Sequence, residues 1–339
     1  MKVDSSLNSD VRYAEASAHE LEVLGFSAGW SHELAHDPFL PLVTAARGSE
    51  SLQLGTSIAV AFARNPMLLA NIGWDLQAYS RGRFILGLGS QIRAHITRRF
   101  SMPWSHPAAR MRELIAATRA IWDCWLNDGQ LEFKGDFYQH TLMTPYFTPA
   151  AADIAAWGVP KIFLAGVGEL MTEVAGEVGD GFIAHGFTTE RYLREVTLPA
   201  LLRGRERVGK SLEGFEIVVP SFVVTGSSEE QMERQRASVR EQVGFYGSTP
   251  AYRAVLELHG WGDLQTELRD RSRSGDWQGM GLAVPEDVLD AFAIVAEPTD
   301  LAAAYARRFR GVATRLTIER SVLTNEAELA DVVTSLGAV

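Results

Sequence analysis

Short apolar runs alternate with longer amphipathic stretches along most of the chain. The short runs are typical of strands buried on both faces, and the stretches between them repeat their apolar positions at helical spacing. Eight such runs are KVDSSL, FSAGWS, LQLGTSIAV, RFILGLG, KIFLAG, DGFIAHG, FEIVVPSFVVTG and ATRLTIE. The pattern predicts an α/β fold, a (β/α)8 TIM barrel forming a single domain over residues 1–339.

Several predicted helices carry local signals of their own. Asp37 before Pro38, and Asn65 before Pro66, are N-cap and first-turn pairs that start a helix. A later helix carries one apolar stripe that indicates packing rather than cofactor binding. The stripe consists of Met111, Leu114, Ile115, Thr118, Trp122 and Trp125. The only cysteine, Cys124, lies in the same helix, so we expect a buried thiol and no disulfide framework.

Two segments interrupt the alternation. Residues 129–145 alternate in polarity around a Lys134–Asp136 turn and predict a hairpin. Residues 245–290 are helical, punctuated by glycine and rich in aromatic residues. We interpret the second insertion as lid-like, a wall that controls access to a site.

Composition narrows the choice of partners. The 339 residues carry a formal net charge of −10, which repels nucleic acid and anionic membranes. The first residues form no apolar leader, and no apolar stretch reaches membrane-spanning length. We therefore expect a cytoplasmic protein that acts on a small-molecule substrate, with no nucleic-acid or membrane partner.

The stretch HELAH, residues 32–36, matches the H-E-x-x-H zinc-protease signature. That chemistry requires both histidines on one face of a helix. Here a predicted strand ends just before the motif and a predicted helix begins just after it. The stretch is therefore predicted to be a loop, and we expect no metal site.

The stretch GLGSQI, residues 87–92, carries the first two glycines of a dinucleotide loop. The third glycine of that fingerprint falls on Ile92, and no helix is predicted to begin at once. We therefore reject a Rossmann loop. Instead Gly89, Ser90 and Gln91 are predicted to end the fourth barrel strand, where small residues let a flat ligand approach the backbone.

Barrel enzymes place their chemistry at the carboxyl ends of the strands. After the fifth strand, Ala165, Gly166, Val167 and Gly168 precede a helix. Such a turn either binds a phosphate at the helix N-terminus or needs glycine for its own geometry, and both interpretations stay open. The titratable candidates at the other strand ends are His32, Glu33, His36, His95 and His185. We assign His19 and His259 to the surface or to packing.

The chain resembles the bacterial luciferase-like superfamily, and most closely its F420-dependent oxidoreductase branch. The central block, LQLGTSIAVAFARNPMLLANIGWDLQAYSRGRFILGLGSQIRAHITRRF, carries the similarity. Further matching pieces are HDPFLPL, HPAARMRE, FYQHTLMTP, AGVGELMTEVAGEVGDGFIAHG and FYGSTPAYRAVLELHGWGDL. The resemblance covers nearly the whole chain. It implies a barrel that forms a homodimer and binds a flavin or deazaflavin at its C-terminal mouth.

The resemblance also implies roles for individual residues. A non-proline cis peptide between Ser57 and Ile58 would form a bulge against the cofactor ring. The cofactor phosphate would contact residues 165–168, and the ring would contact Glu33 and residues 89–91. In the sugar-phosphate dehydrogenases of this branch, a catalytic histidine and a catalytic glutamate occupy the positions of Leu34 and Ile92 here. Sugar-phosphate oxidation is therefore not expected.

The leading hypothesis is an F420-dependent oxidoreductase that transfers a hydride between the deazaflavin and a small organic substrate. Glu33 would orient the ring or its contacts, and His36 or His185 would act as the acid or base. For each histidine, a hydrogen-bonding role in a loop is the alternative. The competing hypotheses are an FMN-dependent luciferase-like monooxygenase and a non-catalytic flavin or deazaflavin carrier.

Overall fold

The computed structural model describes residues 1–338, and its centre is a closed barrel of parallel strands. The strands are β1 (Lys2–Ser6), β2 (Ala28–Ser31), β3 (Gln53–Thr56), β4 (Phe84–Gly89), β5 (Lys161–Gly166), β6 (Gly181–Ala184), β7 (Glu216–Pro220) and β8 (Arg315–Thr317). Strand β1 pairs with both β2 and β8, which closes the barrel. A short strand, Ala59–Val60, continues β3 alongside β4. The predicted (β/α)8 fold is confirmed.

Helices surround the barrel and join its strands. They are α1 (Ala14–Val23), α2 (Leu40–Arg47), α3 (Pro66–Tyr79), α4 (Pro107–Asn127), α5 (Glu169–Val178), α6 (Leu198–Arg207), α7 (Glu229–Gly247), α8 (Arg253–Leu258), α9 (Gly262–Ser274), α10 (Trp277–Leu282), α11 (Glu286–Phe292), α12 (Leu301–Phe309) and α13 (Glu326–Gly337). Asn65 caps α3 as predicted, accepting from the Leu68 N–H at 3.0 Å. Within residues 1–338, the chain forms no helix that could span a membrane.

The predicted stripe of α4 is buried, and Cys124 is buried beside it. The α2 start differs slightly from the prediction. Asp37 accepts from the N–H groups of Phe39 and Leu40 at 2.8 and 3.2 Å, yet the helix begins at Leu40 rather than at Pro38. The N-cap residue is Phe39 rather than the predicted Asp37, which accepts these bonds from outside the helix, and the predicted boundary was two residues early.

The barrel interior changes from ionic to apolar along its axis. At the amino ends of the strands, the fully buried Arg315 binds Asp4 through two contacts of 2.8 Å and Glu216 through a third of 2.8 Å. Above this layer lies an apolar one, in which the rings of Trp30 and Phe163 are 6.2 Å apart. This layer also contains Ala28, Ile85, Ile183 and Val218. Because the lower barrel is filled, a ligand can enter only from the carboxyl ends of the strands.

Two insertions leave the barrel. An antiparallel hairpin, Phe133–Lys134 with Gln139–His140, lies within the segment predicted at residues 129–145. The helical insertion is longer than the predicted 245–290. Strand Phe222–Val224 continues β7 and pairs in parallel with Ala293–Val295, so helices α7 to α11 form one excursion between them. The excursion has a hydrophobic core of its own, which includes Val239 and Val243 of α7.

Candidate functional site at the barrel mouth

Four polar side chains surround the mouth of the barrel. Alternate residues of a strand face the same side, so the residues next in register above the inward-facing core also point inward. On this basis Ser6, His32, His185 and Glu319 form the upper layer of the interior. Glu319 is exposed and the other three are half-buried, which leaves this end of the barrel polar and accessible.

A chain of hydrogen bonds joins three of these side chains to the end of β3. Ser6 Oγ lies 2.7 Å from a carboxylate oxygen of Glu319 and 2.8 Å from His32 Nε2. His32 Nδ1 bonds the carbonyl oxygen of Ser57. Because a carbonyl oxygen only accepts, Nδ1 carries a proton in this arrangement. His32, a candidate acid or base, therefore holds the backbone at Ser57.

The Ser57–Ile58 peptide bond is cis, as the family resemblance implies. The side chain of Ile58 then lies against Gly89. A Cβ at position 89 would come within 2.8 Å of Ile58 Cγ1. The glycine therefore makes room for Ile58. We had predicted instead that Gly89 lets a flat ligand approach the backbone. The half-buried Ile58 provides the apolar surface at this point.

Glu33 is enclosed rather than open to the mouth. Its carboxylate accepts from the Val60 N–H at 2.6 Å and from Arg64 Nη1 at 2.7 Å, and its side chain is 8% exposed. Both donors belong to the segment that follows the cis peptide. Both donors bind Oε2, and the predicted role of Glu33 in orienting the ring or its contacts remains a prediction. Glu33 fits a supporting role behind the bulge.

The end of β4 uses its polar groups locally. Ser90 Oγ bonds the carbonyl oxygen of Gln91 at 3.2 Å, and the Gln91 side chain accepts from the Ile92 N–H at 2.9 Å. Gln91 has a φ of +59°, a left-handed conformation. A helical turn, His95–Arg99, follows where we predicted none. The predicted ring contacts at Ser90 and Gln91 remain a prediction.

The turn from Ala165 to Gly168 leads directly into α5. Gly168 is the N-cap residue, and no side chain caps this helix. A Cβ at Gly168 would meet nothing within 4 Å. The first N–H groups of a helix have no partner within the helix and attract anions. Neither Gly166 nor Gly168 has a positive φ, so a left-handed turn does not explain the glycines, and an open anion site remains the better interpretation.

His185 lies across the mouth from His32, in an aromatic cluster. Its Nδ1 accepts from the Phe187 N–H at 3.0 Å, and its Nε2 lies 3.0 Å from the Tyr252 hydroxyl. The Tyr252 ring stacks on it at 4.5 Å, and the Tyr246 ring meets it edge-on at 5.0 Å. Burial lowers the pKa of His185 to about 4. A neutral ring with both nitrogens bonded does not fit the predicted acid–base role.

The other histidines have different outcomes. His36 is exposed in the loop after β2, and His95 is exposed in the helical turn after β4. The structure brings neither into the cluster. His259, which we assigned to the surface or to packing, stacks on Trp261 at 4.4 Å and lies 2.8 Å from Thr189 Oγ1. It therefore attaches the helical insertion to the loop that follows β6.

Sequence reasoning missed three participants. Ser6 was not singled out, although it stands two places after the inward-facing Asp4. Arg64 lies far along the chain from Glu33, so nothing local indicated the pair. Tyr252 lies in the insertion, whose placement against β6 depends on tertiary packing. Only Ser6 could have been found from the sequence, by extending the strand alternation one step.

A small cavity of about 10 Å³, with room for about one water molecule, lies between the glycine turn and the His185 cluster. Its walls include Gly166, Val167, His185, Phe187 and Thr188. The cavity thus joins the candidate anion site to the aromatic side of the mouth.

Comparison with known proteins identifies the family. The model of the luciferase-like monooxygenase family matches residues 2–315. The chain belongs to the luciferase-like monooxygenase family. An uncharacterized protein of Mycobacterium tuberculosis is 51% identical to this chain over 316 residues, covering 93% of this chain and 92% of its own length. The F420-dependent glucose-6-phosphate dehydrogenase of Mycolicibacterium gilvum is 30% identical over 194 residues, covering 56% and 55%.

A solved structure shows the same luciferase-like fold. The coenzyme F420 dependent tetrahydromethanopterin reductase of Methanopyrus kandleri superposes with a TM-score of 0.78 at 18% identity, covering 98% of this chain and 96% of that one. At this identity the comparison supports the fold alone. It agrees with the closed barrel.

Proposed function

We propose that this luciferase-like protein is an F420-dependent oxidoreductase that transfers a hydride between the deazaflavin and a small organic substrate. The observation that carries the proposal is the uncapped N-terminus of α5 beside the open barrel mouth. It supplies a phosphate site within reach of an apolar surface. The named F420-dependent relatives favour the deazaflavin over FMN.

The residues present fit such a cofactor. Gly168 leaves the N-terminus of α5 open, and a Cβ at Gly166 would crowd the Thr172 nitrogen at 3.2 Å. The Glu169 carboxylate in the first turn is paired with Arg203 at 2.7 Å, which reduces its repulsion of an anion. Ile58 offers an apolar face for the ring. When bound in its reduced form, the cofactor would supply a hydride, which carries both electrons of the reaction.

The chain itself positions and shields these groups. His32 holds the Ser57 carbonyl, and Glu33 holds the backbone at Val60, so the bulge is fixed from both sides. The insertion is fastened over the aromatic side of the mouth through His259 and Tyr252. Such a cover limits the access of water, and hydride transfer requires that water be excluded.

Fluorescence titration with F420 and with FMN tests the cofactor assignment. We expect F420 to bind and FMN to bind more weakly. Tight FMN binding without F420 binding would favour the monooxygenase that the family description names. A cofactor that binds in its reduced form but is never oxidised by a panel of substrates in single turnover would favour a carrier.

The variant Gly168→Asp tests the phosphate site. Aspartate is a better N-cap than glycine, so α5 should be stabilised by roughly 0.3 kcal/mol. Its charge would repel the cofactor phosphate, and we expect about tenfold weaker binding or more. Gly168→Ala is the matched control, because a Cβ there meets open space. Equal cofactor affinity in the Asp and Ala variants would place the phosphate elsewhere.

A further inference from the structure

The hydrogen bonds of His185 determine its tautomer. The Phe187 N–H donates to Nδ1 at 3.0 Å, so Nδ1 carries no proton. An imidazole with a bare Nδ1 must carry its proton on Nε2. Nε2–H therefore donates to the Tyr252 hydroxyl oxygen, 3.0 Å away. The lowered pKa of His185, which burial causes, agrees with a neutral ring.

This direction of donation leaves the hydroxyl proton of Tyr252 unused. A phenol has one O–H to donate, and its oxygen already accepts from His185. Within residues 1–338, that bond is the only one made by the Tyr252 hydroxyl. Burial raises the pKa of Tyr252 to about 12, so the hydroxyl keeps its proton at neutral pH. The hydroxyl proton therefore has no acceptor among the protein groups of residues 1–338.

The donor lies at the mouth. His185 is the inward-facing residue above β6 and lines the cavity that reaches the glycine turn. Tyr252 stacks on His185 and is half-buried. Val255, three residues further along the chain, lines the same cavity. Tyr252 is not itself a wall of this cavity, and its hydroxyl lies at the barrel mouth through its bond to His185, the inward-facing residue there.

We infer that Tyr252 is a catalytic residue that donates a hydrogen bond to an oxygen of the substrate, and that His185 is the positioning residue that orients it. The substrate class is an organic molecule with a carbonyl oxygen at the reacting carbon. This inference rests on the proposed function, because carbonyl reduction places growing negative charge on that oxygen. A neutral donor held in a partly buried site stabilises such charge.

A chromophoric aldehyde tests the donor directly. The absorption of 4-(dimethylamino)benzaldehyde moves to longer wavelength when its carbonyl oxygen accepts a hydrogen bond. We expect this shift on adding the full-length protein, and its loss in Tyr252→Phe together with about tenfold weaker binding of the aldehyde. Tyr246→Phe is the matched control, because Tyr246 packs on the same histidine ring edge-on. It should keep the shift.

Two results would overturn the inference: an unchanged shift in Tyr252→Phe, or no shift in the unsubstituted protein. A measurement that needs no Tyr252 variant is the tautomer of His185 by 15N NMR of histidine-labelled protein, with the signals assigned by their loss in His185→Gln. We expect a bare Nδ1 and a protonated Nε2, and the opposite pattern would refute the donor assignment.

The aldehyde experiment requires no redox cofactor. If neither F420 nor FMN binds but the shift behaves as expected, the proposed function fails and the donor assignment stands. If F420 binds and the shift is absent, the proposed function stands and the donor assignment fails.

Discussion

At the scale of single residues, Glu33 satisfies two donors at once, the Val60 N–H and the Arg64 guanidinium. Removing a buried charge leaves its partners unpaired, which costs more than the pair contributes. We expect Glu33→Ala to lower the free energy of unfolding by about 3 kcal/mol, measured by urea denaturation. Glu33→Gln should cost less, because its amide oxygen can still accept from Val60.

The control for this prediction is Glu195→Ala. Glu195 pairs with Arg191 at 3.0 Å on an exposed helical turn, and both side chains are about half exposed. Such pairs contribute less than about 1 kcal/mol. An unchanged urea midpoint in Glu33→Ala, accompanied by complete loss of activity, would instead support the predicted role of Glu33 in orienting the cofactor ring or its contacts.

The residue scale also shows where sequence reasoning stops. The resemblance predicted the cis bond at Ser57–Ile58, and pattern alone brought His185 to a strand end. Neither indicated that the His185 nitrogens are both bonded or that Glu33 is enclosed. Those facts depend on Tyr252 and Arg64, which are distant in sequence and reach the site only through tertiary packing.

At the scale of elements, α5 and α6 approach each other through glycines. A Cβ at Gly176 would lie 2.2 Å from the Leu201 carbonyl oxygen, and a Cβ at Gly204 would lie 2.0 Å from the Glu173 carbonyl oxygen. Alanine is the better helix former by about 1 kcal/mol, but backbone atoms cannot move aside cheaply. We expect Gly176→Ala and Gly204→Ala each to lower the free energy of unfolding by about 2 kcal/mol.

Gly337→Ala in α13 is the matched control, since a Cβ there meets nothing within 4 Å. It should leave the urea midpoint unchanged or raise it slightly. Stabilisation by alanine at positions 176 and 204 would contradict the close approach. Periodicity correctly predicted helices at both places, but a contact between two helices is not encoded in the period of either one.

At the scale of the whole molecule, the barrel followed from alternation, because a parallel strand buried on both faces carries its own apolar signature. The start of the helical insertion did not follow from the alternation, because its first helix, α7, continues the pattern of strand and helix without a break. The ionic layer was also missed. Lys2, Lys161 and Glu216 stand at the starts of predicted strands, where a charged residue is ordinarily assigned to solvent.

Glu216 links its own strand, β7, to strands β1, β5 and β8 at the base of the barrel. It accepts from Lys2 at 2.8 Å, from Lys161 at 2.7 Å and from Arg315 at 2.8 Å. Burial alone would raise the pKa of Glu216, but these bonds outweigh burial and lower the pKa from its ordinary value of 4.5 to about 2. A carboxyl whose pKa is lower in the folded state than in the unfolded state stabilises the fold at pH values above the unfolded-state pKa. That stabilisation is lost as the pH falls through the folded-state pKa.

We therefore expect Glu216→Gln to lower the free energy of unfolding by about 3 kcal/mol at pH 7, and the difference from the unsubstituted protein to shrink as the pH falls from 4.5 toward 2. Urea denaturation at a series of pH values measures both curves. Glu195→Gln, an exposed control, should follow the unsubstituted protein throughout. A difference that stays constant down to pH 2 would mean that the Glu216 charge does not hold the barrel base together.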